Sequence, residues 1–410
     1  MLAHDFPINL IKKCFRLKPV TITAFTFLII AALYNLPFSF APLNPISEAL
    51  VDFDFNDIIF SRLRPEQNAD TNIVLVNIGN LSRREIADEI TWINNAQPAV
   101  IGIDAFFSVP KDTNDDLHLM HAMSQVKNLV LVHKVCKYDS LNDEYKQEEK
   151  SIPLFNKYAA NGFANLPDNE NGAFRTIRKY RPSVLVNGTS VPSFTSQVIA
   201  RYDPGALQIL KDRGNDLEII NFRGNMDKFF VIDASVPGTV PSPEFIKGKI
   251  VLMGFMGRDI ASPELEDKFY TPLNSRPAGK TYPDMYGIVV HANIASMVLN
   301  NSYINEVKPL FSVLFAVLIS YLNVILLIWL KAKIPAWLSI VTKLFLFIQT
   351  IFYLSISVWL FSYFRVKISL TLVLAAIALS TTSIDLFEVY FVKSIELVRK
   401  RKSRIRHENI

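Results

Sequence analysis

Hydrophobic and polar positions along the chain follow two regimes. Long apolar runs stand near the start and near the end, and short apolar runs separated by polar, periodic stretches fill the middle. From Pro19 to Ser47 there is no charged residue, and the apolar part, Val20 to Leu36, is long enough to cross a bilayer as a helix. Ser39-Phe40-Ala41 is a small-x-small site and offers the rival reading of a cleaved leader. The run is long for a leader core, which favours an uncleaved anchor. Leu310–Leu330, Leu344–Phe364 (with Lys343 placed to snorkel) and Ile368–Ile384, which ends at Asp385, are three further runs. The expected spans are residues 19–41, 309–330, 335–364 and 367–387.

The middle reads as β-α-β-α-β at its start. Asn72–Ile78 is an unbroken apolar strand. Ser82-Arg-Arg-Glu85 is a capping box, in which Ser82 caps the Glu85 amide and Glu85 reaches back. The helix it opens carries Ile86, Ile90 and Ile93 at helical spacing and ends near Gln97-Pro98. Ala99–Phe107 is a second strand. Thr113–Asp116 opens a second helix with Leu117, Met120 and Met123, and Asn128–Val135 is a third strand. Strands without alternation imply a sheet covered on both faces, as parallel sheets are. Lys137–Lys150 is polar and reads as an exposed excursion. Asn171-Gly172 is a hairpin signal between Gly162–Leu166 and Ala173–Tyr180. Ser193–Arg201 reads as a helix, and Leu217–Arg223 and Phe229–Val236 as strands around the Gly224-Asn225 turn. Gly248–Phe255 is a last buried strand, and Tyr286–Asn300 a helix leading to the second span. The fold class expected is an α/β domain with a mixed, largely parallel sheet and helices on both faces, plus α-helical transmembrane segments.

Composition and charge refine this. Half of the residues are hydrophobic, which excludes a disordered chain and an ordinary soluble one. The net charge of +5 sits largely beside the spans, so it reads as topology and not as a nucleic-acid footprint. The positive-inside rule puts residues 1–18, the Lys331/Lys333 loop and the basic tail 388–410 in the cytoplasm, and residues 42–308 outside. Arg365 and Lys367 are a mild violation. The localisation expected is the inner membrane of a bacterium, with both termini inside. Cys14 and Cys136 then lie on opposite sides and form no internal disulfide. Only a short basic tail follows the last span, so output is expected on another chain.

Several stretches carry a family resemblance: Asn72–Ile78, Ile101-Gly-Ile-Asp-Ala-Phe-Phe107, Asp116–Met123, Asn171-Gly-Ala-Phe-Arg175, Gly248–Gly254, Tyr270-Thr-Pro-Leu273 and Gly287-Ile-Val-Val-His-Ala292. In this order, over about residues 50–308, they resemble the second type of CHASE domain, a sensory domain found outside the membrane in bacterial cyclases and histidine kinases. One anchor before the domain and three spans after it are also that family's arrangement. The family often has Asp after its first strand, where this chain has Gly79. It often has a Trp/Pro/Arg-rich lead into the first helix, where Ser82-Arg83-Arg84 follows almost at once. The resemblance implies a sensory module without the usual kinase or cyclase output.

Candidate ligand-binding residues are Asp104, Asp116, Arg175, Thr271 and His291. Asp104 stands near the carboxyl end of a strand, where α/β sheets bind ligands, or it caps a loop. Arg175 binds an anion or pairs with Asp104. His291 begins an apolar helix, either as a satisfied histidine or as a pH-sensitive contact. Asp116 and Thr271 lie within the matching stretches. Asp115, Asp116, His118 and His121 group together, but a metal needs three or four ligands with outer support, and beyond Asp115 and His118 only the unassigned His133 and His291 are available. No metal or cofactor is expected. No nucleophile elbow, Walker loop or zinc-hydrolase motif is present, and a non-enzyme is expected. The expected partners are membrane lipid, a small-molecule or protein ligand outside, an unidentified cytoplasmic or membrane output partner, and a second copy of the chain; no nucleic acid is expected. The function expected is a receptor-like inner-membrane sensor. The alternatives are a structural or docking subunit of an envelope complex, and a transport or export component.

Overall fold

The computed structural model describes residues 18–35, 54–166, 176–234, 242–261, 264–274, 282–334 and 338–392. The chain divides into two units, Pro45–Asn305 and Met1–Asn44 with Glu306–Ile410. Its main helices are α1 (Lys18–Asn35), α2 (Arg83–Asn95), α3 (Thr113–Ser124), α4 (Phe194–Tyr202), α5 (Pro204–Asp212), α6 (Gly287–Leu299), α7 (Pro309–Lys333), α8 (Leu338–Phe364) and α9 (Thr371–Phe387).

The unit 45–305 is built on one mixed sheet. Its strands are β1 (Ile73–Asn77), β2 (Val100–Asp104), β3 (Leu129–Asp139), β4 (Glu144–Glu149), β5 (Ala160–Phe163), β6 (Ser183–Val186), β7 (Thr189–Pro192), β8 (Phe230–Asp233) and β9 (Ile250–Gly254). Their order is β8-β1-β9-β2-β3-β4-β6-β7, with β5 also paired to β3. The pairs β8/β1, β1/β9, β9/β2, β2/β3 and β3/β5 are parallel. Every residue of β1 and β9 is buried, as their unbroken apolar sequences require.

The helices cover both faces. Ile86, Ile90 and Ile93 of α2 and Leu119, Ala122 and Met123 of α3 join Val74, Val76, Ile101, Ile103, Val251 and Met253 in one core. Ser82 and Glu85 form the capping box that the sequence announces. On the other face, a Cβ at Gly102 would meet Phe194 and Val198 of α4 at 2.9 and 3.0 Å, so glycine there lets α4 lie close. Gly162 is tighter still, with the Phe194 backbone 2.5 Å from where its Cβ would stand.

Three local expectations are corrected. On α3 the inward face is Leu119, Ala122 and Met123, and Leu117 is exposed. Lys137–Lys150 is largely exposed, as expected, and is corrected only in form: it is an antiparallel hairpin that extends β3 into β4, with Tyr145 turned inward onto Val135, Phe163, Val184 and Val186. Leu217–Arg223 and Phe229–Val236 do not pair with each other. Glu218–Ile219 pairs with Lys179–Tyr180, while β8 joins the main sheet beside β1. The Gly224-Asn225 turn is drawn into tertiary bonds: Asn293 Nδ2 donates to the Gly224 carbonyl at 2.9 Å and Asn225 Nδ2 to the Asp284 carbonyl at 2.8 Å. The Asn171-Gly172 turn lies outside the described residues.

The second unit is helical. Three of its helices, Pro309–Lys333, Ser339–Phe364 and Thr371–Tyr390, are long and apolar enough to cross a membrane, and Lys18–Leu33 is a shorter apolar helix. Ile22 of α1, Val324 and Leu327 of α7 and Ile384 at the end of α9 form one buried cluster, and Ala316, Ile319, Val373 and Ile377 another. Gln349 Nε2 donates to Asn323 Oδ1 at 2.9 Å, an interhelical hydrogen bond as expected for polar groups among apolar helices. Lys18 bonds Glu388 at 3.0 Å, and Lys331 bonds Glu388 at 2.7 Å and Asp385 at 3.2 Å. Away from these, the Val307 amide donates to the Lys367 carbonyl at 3.0 Å.

Candidate functional site

Asp104 closes β2, opposite Gly254 in the register of β9. Its carboxyl group accepts no hydrogen bond and forms no ion pair among the described residues. Burial, then the charge of Asp267, pushes it up to about 7, against the pull of Lys134. Asp267 is itself pushed up to about 6, first by burial and then by Glu266, again against Lys134. Asp267 has a left-handed backbone (φ 55), and its carbonyl accepts the Gly287 amide at 3.0 Å where α6 begins. Lys134 Nζ sits 4.9 Å from the centre of the Phe106 ring. The carboxyl end of the sheet thus brings together a half-buried carboxyl, Asp104, a more exposed one, Asp267, and one lysine. Such a site retains a proton near neutral pH. Arg175, expected to pair with Asp104, lies outside the described residues.

Asp116 is in a different situation. It forms a buried ion pair with Arg83, with 6% and 5% of the two side chains exposed. The Lys111 amide donates to its second oxygen at 2.9 Å, and Arg83 also donates to the Val109 carbonyl at 2.6 Å. Burial alone would raise this carboxyl; Arg83 and the amide outweigh it and hold it below the usual carboxylate range. The pair locks α2 to α3. The grouping of Asp115, Asp116, His118 and His121 does not converge. Asp115 bonds Arg84 at 2.9 Å and His118 bonds Asp88 at 2.7 Å. Among the described residues no three acids, histidines or cysteines are grouped to hold a metal.

His291 is buried between α4 and α6. Its Nδ1 lies 3.0 Å from Thr195 Oγ1, and its ring stands edge-on to Phe194 at 5.2 Å. Burial pushes it down to about 4, so it is neutral at physiological pH. His133 is likewise buried and pushed down to about 4, mainly by desolvation.

Thr271 leads to a site that sequence reasoning missed. Its amide and hydroxyl donate to the two oxygens of Asp284 at 2.9 and 2.5 Å, and Asn274 Nδ2 adds a third bond at 3.2 Å. Asp284 so held lines a cavity of about 320 Å³, with Phe60, Arg64, Arg223, Lys228 and Leu273 also on its wall. One side of the wall lies at the amino ends of β1 and β8, where the Asp70 amide donates to the Lys228 carbonyl at 2.8 Å. A dense polar network stiffens that side. Asp70 accepts from Ser296 Oγ at 2.6 Å, and Arg223 Nε donates to the same hydroxyl at 2.8 Å. Asn293 accepts the Arg223 amide at 2.7 Å. Of the four candidate residues among the described ones, Thr271 alone is tied to this cavity, through its bonds to Asp284. Asp104, Asp116 and His291 stand apart from it. Arg64 and Asp284 each adjoin a proline, Pro65 and Pro283, which marks a rigid loop but not a shared site.

A family model described as the CHASE2 domain matches residues 25–331. No curated protein matches the chain. No solved structure matches it either.

Proposed function

The chain belongs to the CHASE2 domain family, which is a family of sensory domains, and from that premise we propose a membrane-anchored sensor: the unit 45–305 binds a small molecule outside the cytoplasm and reports to a separate partner through its helices. The observation that carries this reading is the 320 Å³ cavity, whose size falls within the range of small-molecule sites and whose wall mixes aromatic, aliphatic and charged groups.

Two bonded ends of the helical unit support the topology. If α1, α7, α8 and α9 cross in turn, the start of α1 and the ends of α7 and α9 fall on one side. Lys18, Lys331, Asp385 and Glu388 are the residues that meet there. The start of α7 and the α8–α9 turn fall on the other side, where Val307 bonds Lys367. In this reading the first end is cytoplasmic, with both termini, and the membrane is a bacterial inner membrane.

Two measurements test it. In a protein with Cys14 and Cys136 replaced by serine, Leu141→Cys should react with a membrane-impermeant maleimide on intact cells, since Leu141 is 94% exposed. Absence of labelling there, with labelling of Ile405→Cys, would reverse the topology. A library of small polar molecules should contain at least one that raises the Tm of the intact solubilised protein, and Leu273→Trp, which fills the cavity, should abolish the shift. A stabilising ligand indifferent to Leu273→Trp would move the site elsewhere.

A further inference from the structure

The cavity holds two opposite charges that the protein leaves unmatched. Most of the charged groups around it are neutralised locally. Arg223 lies 3.7 Å from Asp70, and Lys228 pairs with Glu66 and, at 3.4 Å, with Asp227. Arg64 differs. It donates to Asn221 Oδ1 at 2.6 Å and to the Phe222 carbonyl, both neutral acceptors, and lies 4.7 Å over the Phe60 ring. No carboxylate stands within 4.0 Å of it among the described residues. Burial, and then the charge of Arg223, pushes it down to about 10. Asp284 is its counterpart in sign. It accepts from Thr271, Asn274 and its own backbone amide, all neutral donors, and no cation stands within 4.0 Å among the described residues. Burial raises its carboxyl despite these bonds.

Arg64 and Asp284 are half-buried, and a charge partly withdrawn from water without a counter-charge carries a share of the cost of a buried one. Here two of opposite sign share one cavity and do not touch. A bare anion attracted to Arg64 would face the repulsion of Asp284, and a bare cation the reverse. A molecule carrying both signs satisfies both. The volume of about 320 Å³ limits it to a small one, and Phe60 and Leu273 give it an apolar wall. We propose that this cavity binds a small zwitterion of the α-amino-acid class, with its carboxylate on Arg64 and its ammonium on Asp284. The proposal deepens the sensory reading above and rests on it.

The test is calorimetric titration of the intact protein in detergent with the twenty amino acids. Each is compared with the amine that lacks its carboxylate and the acid that lacks its ammonium, and sugars, phosphate and citrate form a separate set. At least one amino acid should bind, and its amine and acid should each bind at least about tenfold more weakly. Asp284→Asn keeps an acceptor for Thr271 and removes an unmatched charge, so it should fold with an apo Tm no lower than the parent's and lose amino-acid affinity by at least about tenfold. Arg64→Lys, which preserves a donor, serves as the second variant and should weaken the carboxylate contact while leaving the acid-deficient amine unaffected. An acid or amine that binds as tightly as its parent overturns the proposal, as does amino-acid binding unchanged in Asp284→Asn. Binding confined to the sugars, phosphate or citrate, and blocked by Leu273→Trp, overturns the zwitterion but leaves the sensory cavity standing. Binding by no compound of any class overturns both.

Discussion

Two regions of the sheet-bearing unit bury aspartate in opposite ways. Between α2 and α3, Asp116 is matched by Arg83 and a backbone amide, and its carboxyl is held low. At the carboxyl end of β2, Asp104 faces a second acid, Asp267, with a lysine that lies over a ring and makes no ion pair with either; its carboxyl is pushed up to about 7. Both aspartates stand next to apolar elements in the sequence, and both looked like candidate ligand groups. The difference is the partner. A buried carboxylate with its cation fixes two helices in place. One without a cation leaves a site that titrates within the range cells experience, and perturbed groups of this kind concentrate where proteins do something other than hold together.

The largest expected effect follows from the matched pair. Asp116→Ala would leave the Arg83 charge buried and unpaired, at a cost of about 3–5 kcal/mol in unfolding free energy. Denaturant titration of the intact protein in detergent measures it. A loss below about 1 kcal/mol would mean that water reaches Arg83 and that the α2–α3 contact is not organised by this pair.

The mismatched region should respond with the opposite sign. A carboxyl whose folded pKa lies above its unfolded value binds more protons when folded, so stability falls as pH rises between the two values. For Asp104 that window runs from its ordinary value of 3.8 to about 7. Asp104→Asn removes the penalty. The variant and parent should melt together near pH 4, and the variant should melt higher at pH 8. Asp267, pushed up to about 6, acts in the same direction over a narrower window. An Asp104→Asn protein less stable than its parent at pH 8 would show that the carboxylate is charged and matched after all, and the contrast between the two regions would collapse.

Much of the fold was legible because it depends on local signals. Unbroken apolar runs gave the parallel strands, Ser82 and Glu85 gave the start of α2, and Ile86, Ile90 and Ile93 gave its buried face. The three long apolar runs near the end gave helices of membrane length, and the run near the start gave a shorter apolar helix. The failures were non-local. The β3–β4 hairpin depends on Tyr145 meeting β6, and β8 reaches β1 across the intervening chain. Pairing is invisible for the same reason. Nothing near Asp116 in the sequence distinguishes it from Asp115, yet one is matched by Arg83 in the core and the other by Arg84 at the surface. The cavity was missed because Arg64 and Asp284 lie far apart in the chain and neither belongs to a periodic element.

That adjacent pair yields the smallest and sharpest prediction. Arg83–Asp116 and Arg84–Asp115 join the same two helices, use the same residue types and differ chiefly in burial. The side chains of Arg84 and Asp115 are 53% and 30% exposed. Water already solvates these charges, and fixing two side chains costs entropy, so exposed pairs contribute about 0.2–1 kcal/mol. Asp115→Ala should therefore lower stability by less than about 1 kcal/mol, and a double-mutant cycle with Arg84→Ala should return a coupling in that range that shrinks at high salt. The same cycle on Arg83 and Asp116 should return a coupling several times larger and nearly independent of salt. If the two couplings agree, burial is not what separates the pairs. The part played by burial in raising the Asp104 carboxyl would then lose its physical basis as well.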